Sequence, residues 1–341
     1  MANIQKSTKR KMMMKDTILK KIMNENYKSS LPILGRTCVK NGFATRTDLD
    51  VEIRFRSPFA DGVYEWCVNP RKLEDEVNEF PETTLMENPL TFSMAGETLL
   101  KALKRVAPAQ SKDELRYVLT SVYMVKEGHY LTLTATDGKR LHTVTVTASG
   151  GENASAIIPS VAVARILKYG GGDFVSVSVD DKYVRFNFGE IVLTARKIDT
   201  TYPNYKQVIP ATHNVSITTD AKAFAEALKA SEPAAKAAYK ALQTKLDDPS
   251  IYLYMLNISI FILGHIKSNI KEIDLMRFPV AACVNKWEGQ TKIDASFSHK
   301  YLTDAVAACD GETTLMMDDE LNPMVITSGE FLAVIMPIRT S

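Results

Sequence analysis

The side chains that could perform acid–base, nucleophilic or metal chemistry are scattered along this chain. None of the five histidines lies in an HExxH or a Ser/His/Asp pattern; they are His129, His142, His213, His265 and His299. Asp137, Asp180 and Asp318 occupy separate predicted turns. A metal-dependent nucleic-acid enzyme would need these three carboxylates to converge on one cation. The pattern favours binding over bond-making, so we predict no catalytic residue, no metal and no cofactor.

Two other candidates for chemistry have simpler structural explanations. The run Gly170–Gly172 follows a predicted helix and lacks the Gly-Lys-Ser/Thr ending of a phosphate loop, so we interpret it as a helix end. The four cysteines contain no CxxC pair; they are Cys38, Cys67, Cys283 and Cys309. This spacing favours buried free thiols in a reducing compartment over a zinc site or a disulfide framework.

The chain is organised around a predicted β-hairpin over Leu131–Val146, LTLTATDGKRLHTVTV. Two alternating apolar and polar runs flank the dipeptide Asp137-Gly138, which is typical of tight hairpin turns. Gly138 tolerates a positive φ because it has no Cβ. The turn is therefore expected to present Lys139, Arg140 and Leu141 at the rim of a sheet, where they could form a docking surface.

Length and composition indicate an ordinary soluble chain. Its 341 residues are 45% hydrophobic and 24% charged, enough for two or three domains, and the net charge of +2 identifies no partner. No run approaches the ~18 apolar residues of a membrane span. Met12–Met14 is too short for the apolar core of a signal peptide. We predict a cytoplasmic protein that has no membrane partner.

A similar unit recurs along the chain: a short apolar strand, a small or acidic residue, a helix with Leu or Ala at 3–4 spacing, and then several strands. The first helix of each unit is predicted over Asp16–Asn24, Gly96–Val106 and Asp220–Lys229. The second is predicted over Pro70–Val77, Pro159–Tyr169 and Ser298–Cys309. Turn-like residues at Asn88-Pro89 and Pro210–Thr212 predict domains over residues 1–89, 90–211 and 212–341.

Four strings resemble motifs of the bacterial β sliding clamp family, the β subunit of DNA polymerase III, and occur in that family's order. They are Leu115–Leu119 (LRYVL), Ala135–Leu141 (ATDGKRL), Tyr202–Pro210 (YPNYKQVIP) and Val334–Arg339 (VIMPIR). Before residue 90 the resemblance is carried by Ser30–Gly35 and Thr47–Asp50. The chain is thus similar to a divergent clamp, from a bacterium or a phage.

The resemblance implies an α+β DNA clamp fold of repeated strand–helix–strands units, with sheets outside and helices lining a central channel. The first domain is expected to be shortened, because Asn78–Pro89 is too short for the three strands that follow the corresponding helix elsewhere. The implied function is that of a DNA sliding clamp, a processivity factor that encircles duplex DNA and tethers the replicative polymerase. A clamp has no chemistry of its own.

By resemblance, residues from the four strings converge on a hydrophobic groove that holds a short extended peptide. The groove set is Leu119, Thr136, Gly138, Lys139, Arg140, Leu141, Pro203, Gln207, Val208, Val334, Met336, Pro337, Ile338 and Arg339. Lys139 replaces the family's His, Gln207 replaces its Arg, and Thr340-Ser341 follows Arg339, so partner preference is expected to differ. Without the order of the four motifs, the same residues would be ordinary core and strand-end positions.

Basic residues recur on the predicted helices and would meet DNA phosphates without reading bases. The DNA-facing set is Lys20, Lys21, Lys28, Lys101, Lys104, Arg105, Lys112, Tyr117, Arg165 and Lys168. Ser160-Val161 replaces a basic pair usual in the family, so contact is expected to be weaker there. For any one cluster, a solvated helix face is the alternative explanation.

The partners implied by the resemblance are double-stranded DNA, a DNA polymerase and a clamp loader bound through short peptides, and further copies of the chain. The copies would form a head-to-tail homo-oligomer, with a seam between the early strand Val51–Arg56 and the segment Thr291–Ser298. The alternative function is a clamp-like adaptor or inhibitor that binds clamp-interacting peptides without encircling DNA.

Overall fold

The computed structural model describes residues 22, 31–65, 71–74, 77–229, 255–261, 284–289, 292–319 and 321–337. The strands are β1 Thr37–Lys40, β2 Phe43–Thr47, β3 Val51–Arg56, β4 Gly62–Glu65, β5 Arg71–Lys72, β6 Leu90–Ala95, β7 Val122–Glu127, β8 Tyr130–Thr136, β9 Arg140–Thr147, β10 Ala154–Ile158, β11 Phe174–Val179, β12 Tyr183–Asn187, β13 Ile191–Arg196, β14 Val215–Asp220, β15 Met255–Phe261, β16 Val284–Gly289, β17 Lys292–Ser298, β18 Glu312–Met317, β19 Met324–Ser328 and β20 Phe331–Ile335. The α-helices are α1 Gly96–Val106, α2 Ser160–Tyr169, α3 over 221–229, and α4 His299–Ala307. Short 3-10 helices lie at Pro32–Gly35, Val77–Glu79, Ala107–Ala109, Glu114–Thr120 and Tyr205–Val208.

Contacts between Cα atoms group the chain into two compact units. Unit 1 contains residues 1–101, 125–130 and 147–199, and unit 2 contains residues 102–124, 131–146 and 200–341. The predicted α+β class is confirmed, because helices and antiparallel sheets alternate along the described chain. The predicted boundaries after residues 89 and 211 stay a prediction.

Unit 1 is built on one nine-stranded sheet in the order β5-β4-β1-β2-β3-β13-β12-β11-β6. Strands β11 and β12 alternate in burial, as strands with one packed face do. In β3, Val51, Ile53 and Phe55 are fully buried, whereas the intervening Arg54 lies on the opposite face and is partly exposed. The packed face therefore forms the core of the unit.

In unit 2, strands follow the order β7-β8-β9-β20-β19-β18-β14-β16. The pairing of β9 with β20 joins the predicted hairpin to the C-terminal strand, with Leu141 opposite Val334. Strands β15 and β17 form a separate two-stranded sheet. The hairpin thus lies inside this sheet, where two residues distant in sequence become neighbours.

The predicted helix ends are confirmed for most helices in the described part of the chain. Helix α1 begins and ends at the predicted residues, with Leu99, Leu103 and Val106 buried on one face. The Ser298 hydroxyl caps α4, and the Asp220 carboxylate accepts hydrogen bonds from the amides of residues 222 and 223. Helix α2 ends where the amide of Gly170 donates to Ile166 O at 2.8 Å, so the glycine run follows a helix as expected. The helix predicted over Asp16–Asn24 lies outside the described residues.

The helix predicted over Pro70–Val77 is wrong. Arg71–Lys72 is strand β5, which pairs with β4, and the amide of Leu73 donates to Val63 O at 2.8 Å. Further along the described residues, Val77–Glu79 forms a 3-10 turn. The backbone donors at the start of the segment are used by a neighbouring strand, so tertiary pairing overrides the local helical pattern.

The seam predicted on β3 is also wrong, because β3 is not a free edge. It pairs with β2 on one side and with β13 on the other, with Ile53 opposite Leu193. Every backbone group that a neighbouring copy would need is therefore already engaged within unit 1.

Residues 80–89, all of them described, form neither helix nor strand. This agrees with the expectation that the segment before β6 is too short for three strands. The amide of Thr84 donates to Glu52 Oε2 at 3.0 Å, and its carbonyl accepts from Arg185 Nη2 at 2.7 Å. Together with the 3-10 turn Val77–Glu79, this segment forms what we call the connector 77–89. Side chains of β3 and β12 hold the connector against the sheet of unit 1.

Candidate peptide and DNA interfaces

The turn at the tip of the β8–β9 hairpin is held by its own side chains. The Asp137 carboxylate accepts hydrogen bonds from the amides of Lys139 at 2.9 Å and Arg140 at 3.1 Å. The Thr136 hydroxyl donates to Arg140 O at 2.6 Å. Gly138 has φ +86°, a left-handed value that favours glycine, as predicted. The turn is therefore rigid and leaves Gly138 and Lys139 exposed.

The C-terminal strand and the Tyr205–Val208 turn lie against this hairpin. The amide of Met336 donates to Lys139 O at 2.9 Å, which extends the β9–β20 pairing past the end of the strand. Leu141, Val325 and Val334 form a buried cluster, and Tyr205 and Ile209 pack on it. Three of the four family-like strings therefore meet at one place in unit 2.

The site has a buried apolar floor and exposed apolar rims. Leu141 and Val334 are each 1% exposed, whereas Val208 is 49% and Met336 41% exposed. Pro203 and Gln207 are exposed beside Val208, and Pro337 is partly buried. Exposed apolar side chains above a packed floor suit an extended peptide that inserts apolar residues. Ile338 and Arg339 lie outside the described residues.

The fourth string lies in the 3-10 segment Glu114–Thr120, which is tied to the hairpin. Arg116 Nη1 donates to Asp137 O at 3.2 Å, and Arg116 Nε donates to Asp113 Oδ2 at 2.9 Å. Leu119 is partly buried in this segment, and its carbonyl accepts from the amide of Ser111 at 2.8 Å. Leu119 therefore stays a proposed groove residue whose position depends on this segment.

Tyr202 supports the Tyr205–Val208 turn from below. Its ring stacks on Tyr123, with ring centroids 4.8 Å apart and an interplanar angle of 12°. Burial raises the pKa of the Tyr202 hydroxyl, which therefore stays neutral. The stack anchors the start of the YPNYKQVIP string to β7. Tyr202 and Tyr205 belong to this string, so the sequence contained a signal for both.

Arg140 differs from the expectation that it offers free donors at the rim of the groove. Its side chain is 5% exposed and forms ion pairs with Asp137 at 3.0 Å and Asp304 at 2.5 Å. It also donates to Pro108 O, and its guanidinium lies 4.3 Å from the centroid of the Tyr301 ring. Arg140 thus ties the hairpin to α4 and is a positioning residue in this structure.

Asp304 and Tyr301 were missed by the sequence analysis. Burial opposes ionisation of Asp304, but its hydrogen bonds with Arg140 and Lys300 outweigh that effect and lower the pKa of the carboxyl. Asp304 is 164 residues from Arg140 in sequence, so no local pattern links them. Only an already known β9–β20 pairing could have indicated that α4 lies nearby.

His142 lies beside this network, buried in unit 2. Its Nδ1 is 2.9 Å from Arg105 O, and its ring meets Phe331 edge to face at 5.3 Å. Burial is the main reason why its pKa falls from 6.5 to about 4, although the Arg105 carbonyl opposes this shift. His142 is therefore a neutral core side chain at physiological pH.

A pH dependence of stability follows from this shift. The unfolded chain takes up a proton at His142 near pH 6.5 and the folded chain only near pH 4, so stability falls as pH drops between these values. The expected loss is about 3 kcal/mol, measured by urea unfolding across the pH range. The substitution His142→Phe should flatten this part of the curve, whereas His129→Phe, at an exposed position, should leave it unchanged. Equal dependence of stability on pH in wild type and H142F would contradict a lowered pKa of His142.

The predicted DNA-facing residues differ in exposure. Lys101, Lys104, Lys112 and Lys168 are exposed, and Tyr117 is 56% exposed. Lys168 Nζ lies 4.8 Å from the centroid of the Tyr169 ring. Lys20, Lys21 and Lys28 lie outside the described residues. The exposed set stays a prediction for phosphate contact.

Two of the predicted cations are engaged within the protein. Arg165 is 6% exposed and pairs with Asp48 at 2.7 Å, so the structure contradicts its assignment to DNA. Arg105 pairs with Asp310 at 2.7 Å, and its side chain is 15% exposed. A cation whose charge is balanced by a nearby carboxylate attracts phosphate less. Helix periodicity placed these residues on helices but did not distinguish the exposed face from the buried one.

The described part of the chain bears on two further expectations, a metal site and a membrane span. In that part, no three His, Cys, Asp or Glu side chains lie close enough together to hold a metal ion. Asp180 instead accepts hydrogen bonds from the amides of Lys182 and Tyr183 in the β11–β12 turn. No helix in the described ranges is both long and apolar enough to span a membrane.

Comparison with known proteins bears on the same regions. The family model of the DNA polymerase III beta subunit, central domain, matches residues 93–204. A beta sliding clamp of Synechococcus elongatus is 29% identical over 177 residues, which cover 50% of this chain and 47% of the relative. A beta sliding clamp of Chlamydia pneumoniae is 27% identical over 274 residues, covering 79% of this chain and 70% of the relative. The match to the cyanobacterial relative thus spans less than half of that relative's length.

The structure of the DNA polymerase III beta subunit from Thermotoga maritima superposes with a TM-score of 0.74 over 95% of this chain and 97% of that chain. Its sequence identity of 19% means that this likeness concerns the fold. The family-model match covers the central region, which includes the β8–β9 hairpin. The chain is therefore similar to bacterial β sliding clamps, in sequence over its central region and in fold over most of its length.

Proposed function

We propose that this chain is a DNA sliding clamp that encircles duplex DNA and tethers a replicative DNA polymerase through the groove of unit 2. It acts in the cytoplasm as a homo-oligomer and has no chemistry of its own. The observation that carries the proposal is the meeting of Leu141, Val334 and the Tyr205–Val208 turn at one apolar site. A polymerase and a clamp loader would use the same site in turn, each through a short peptide.

The exposed lysines support the DNA-binding half of the proposal. Lys101 and Lys104 lie on the solvent side of α1, opposite its buried Leu99 and Leu103. Side chains on such a face contact phosphates rather than base edges, so binding is sequence-independent and sensitive to salt. Weak contacts of this kind permit sliding along the duplex.

Replacing Lys104 and Lys112 by Glu is expected to reduce the salt dependence of DNA binding. Each lost phosphate contact should lower the slope of log K against log salt by about 0.9. The measurement is a filter-binding titration at several salt concentrations. The matched control is Lys182→Glu, an exposed position in the β11–β12 turn outside the proposed DNA-facing set. Unchanged slopes for the double variant would contradict a DNA-facing role for these lysines.

Primer extension on a long template tests the proposed tethering of the polymerase. The polymerase is supplied with and without the chain, and products are sized at single-hit polymerase concentration. A tether predicts longer products when the chain is present, without a change in the polymerase's rate at the primer end. Products of equal length in both reactions would contradict the proposal.

A clamp-like adaptor that binds peptides without encircling DNA is the second candidate, and a specific observation favours it. The connector 77–89 contains no strand after Glu79, and β3 is paired on both sides. A first domain shortened in this way offers less sheet for a head-to-tail seam. An adaptor predicts groove binding without longer primer-extension products.

A further inference from the structure

Unit 1 contains a cavity of about 500 Å³ that the proposed function does not use. It lies between the connector 77–89 and the face of β1, β2 and β3 that carries Arg54, opposite the packed face. Its lining residues are Cys38, Lys40, Asn41, Thr45, Arg54, Val77, Asn78, Phe80, Pro81, Glu82, Thr83 and Leu85. The cavity therefore exists because the shortened connection crosses this face of the sheet.

The sheet wall of the cavity carries cations placed by strand register. Cys38 is opposite Thr45, and Thr45 is opposite Arg54, so these side chains form one row across β1, β2 and β3. The Arg54 guanidinium lies 4.4 Å from the centroid of the Phe43 ring. Stacking of this kind fixes the plane of the guanidinium and leaves its donors available. Among the described residues, no carboxylate lies within ion-pair distance of Arg54.

One hydrogen-bond donor of Arg54 indicates what kind of ligand group the cavity would bind. Its Nε is buried and has no hydrogen-bond partner among the described residues. Lys40 lies at the end of β1, two residues after Cys38 on the same face. It is exposed and also lines the cavity. Among the residues that line the cavity, these two cations face one carboxylate, that of Glu82 on the opposite wall. Glu52, which also interacts electrostatically with Arg54, is engaged by the Thr84 amide and by the charge of Arg185. A buried donor without an acceptor is costly, so an anionic oxygen suits this position.

The connector wall is largely apolar. Phe80 is 5% exposed and anchors the connector, while Leu85 is 82% exposed at the lip of the cavity. Val77 and Pro81 complete this wall. An occupant must therefore present a carboxylate towards Arg54 and an apolar side chain towards the connector.

We infer that this cavity binds a short acidic peptide segment, with a carboxylate at Arg54 and Lys40 and an adjacent apolar side chain against Phe80 and Leu85. A nucleic-acid backbone fits less well, because a phosphate chain would lie beside Glu82 and an apolar wall. The site lies in unit 1, whereas the groove of unit 2 uses other residues. It gives the chain a second surface for acidic partner proteins.

The test uses the full chain and a fluorescein-labelled pentapeptide, SEIDG, with its neutral counterpart SQING. Binding is followed by fluorescence anisotropy in the background of Met336→Ala and Val208→Ala, which removes the groove of unit 2. SEIDG should bind saturably and more weakly as salt rises, whereas SQING should not. Arg54→Gln with Lys40→Gln should weaken SEIDG at least about tenfold. Lys182→Gln with Arg196→Gln, an equal loss of two positive charges at exposed positions elsewhere in unit 1, should have no effect.

Substitutions of the exposed Leu85 provide a second test, which does not depend on the folding of the Arg54 variant. The Leu85→Lys variant should bind SEIDG more tightly than the Leu85→Glu variant, because both lose the same apolar side chain and differ only in the charge at the entrance. No saturable binding of SEIDG, equal binding of the two peptides, or wild-type affinity in the Arg54 and Lys40 variant would each overturn the proposal. Displacement of SEIDG by an equimolar single-stranded oligonucleotide would overturn it as well, by assigning the cavity to nucleic acid.

Discussion

A variant carrying Met336→Ala and Val208→Ala is expected to bind a polymerase-tail peptide on the order of 100-fold more weakly than the wild type. Both side chains rise above the buried floor of the groove, where they are 41% and 49% exposed. Truncating them removes the apolar contacts that a bound peptide would make. Because neither side chain is buried, the free energy of unfolding should change little.

The comparison needs a control that removes the same kind of surface elsewhere. Leu321→Ala deletes a 60% exposed apolar side chain between β18 and β19 and should leave peptide affinity unchanged. Met336→Leu keeps most of the side-chain volume and should retain most of the affinity. Leu141 is a poor choice for this test, because it is 1% exposed and its truncation would disturb the core. Wild-type affinity in the double variant would refute the groove assignment.

Replacing Arg140 by alanine is expected to lower the free energy of unfolding by about 3–5 kcal/mol, because it leaves buried partners without their counter-charge. The side chain of Arg140 is 5% exposed and pairs with Asp137 and Asp304. Its loss also removes the contact with the Tyr301 ring. Urea unfolding at neutral pH measures the difference, and peptide binding should weaken in the same variant because the hairpin is no longer tied to α4.

The matched control is Arg116→Ala. Arg116 pairs with Asp113, but both side chains are exposed, at 50% and 42%, so the expected loss is below about 1 kcal/mol. Protonation supplies a second check on Arg140. The folded pKa of Asp304 is lowered from its ordinary 3.8, so the pair is fully stabilising above that value and is lost as pH falls below it. The difference in the free energy of unfolding between wild type and R140A should therefore become smaller in acid. A small difference at neutral pH would contradict the positioning role of Arg140.

The features that sequence predicted well are those with short-range causes. Asp137-Gly138 closes a hairpin because the turn is specified by its own residues, and Ser298 caps α4 for the same reason. The apolar face of α1 follows from the spacing of Leu99, Leu103 and Val106. Each of these features can be predicted from a local sequence pattern.

The features that were predicted wrongly depend on pairing across the fold. Arg71–Lys72 became a strand because β4 lies beside it, and β3 lost its free edge to β13, which is more than a hundred residues away in sequence. Arg165 and Arg140 were taken as accessible cations, but carboxylates at Asp48 and Asp304 bury and neutralise them. Register and burial of this kind are set by long-range packing, so charge and periodicity alone did not reveal them.

The central claim, that the chain encircles DNA, is tested most directly by topological retention. A linear duplex is tethered to a bead at one end, incubated with the chain so that rings thread over the open end, and then blocked at that end with streptavidin. A clamp predicts that the chain resists a high-salt wash and is released when a restriction enzyme cuts the duplex. Equal loss in high salt from blocked and unblocked duplexes would contradict encirclement and would favour the adaptor.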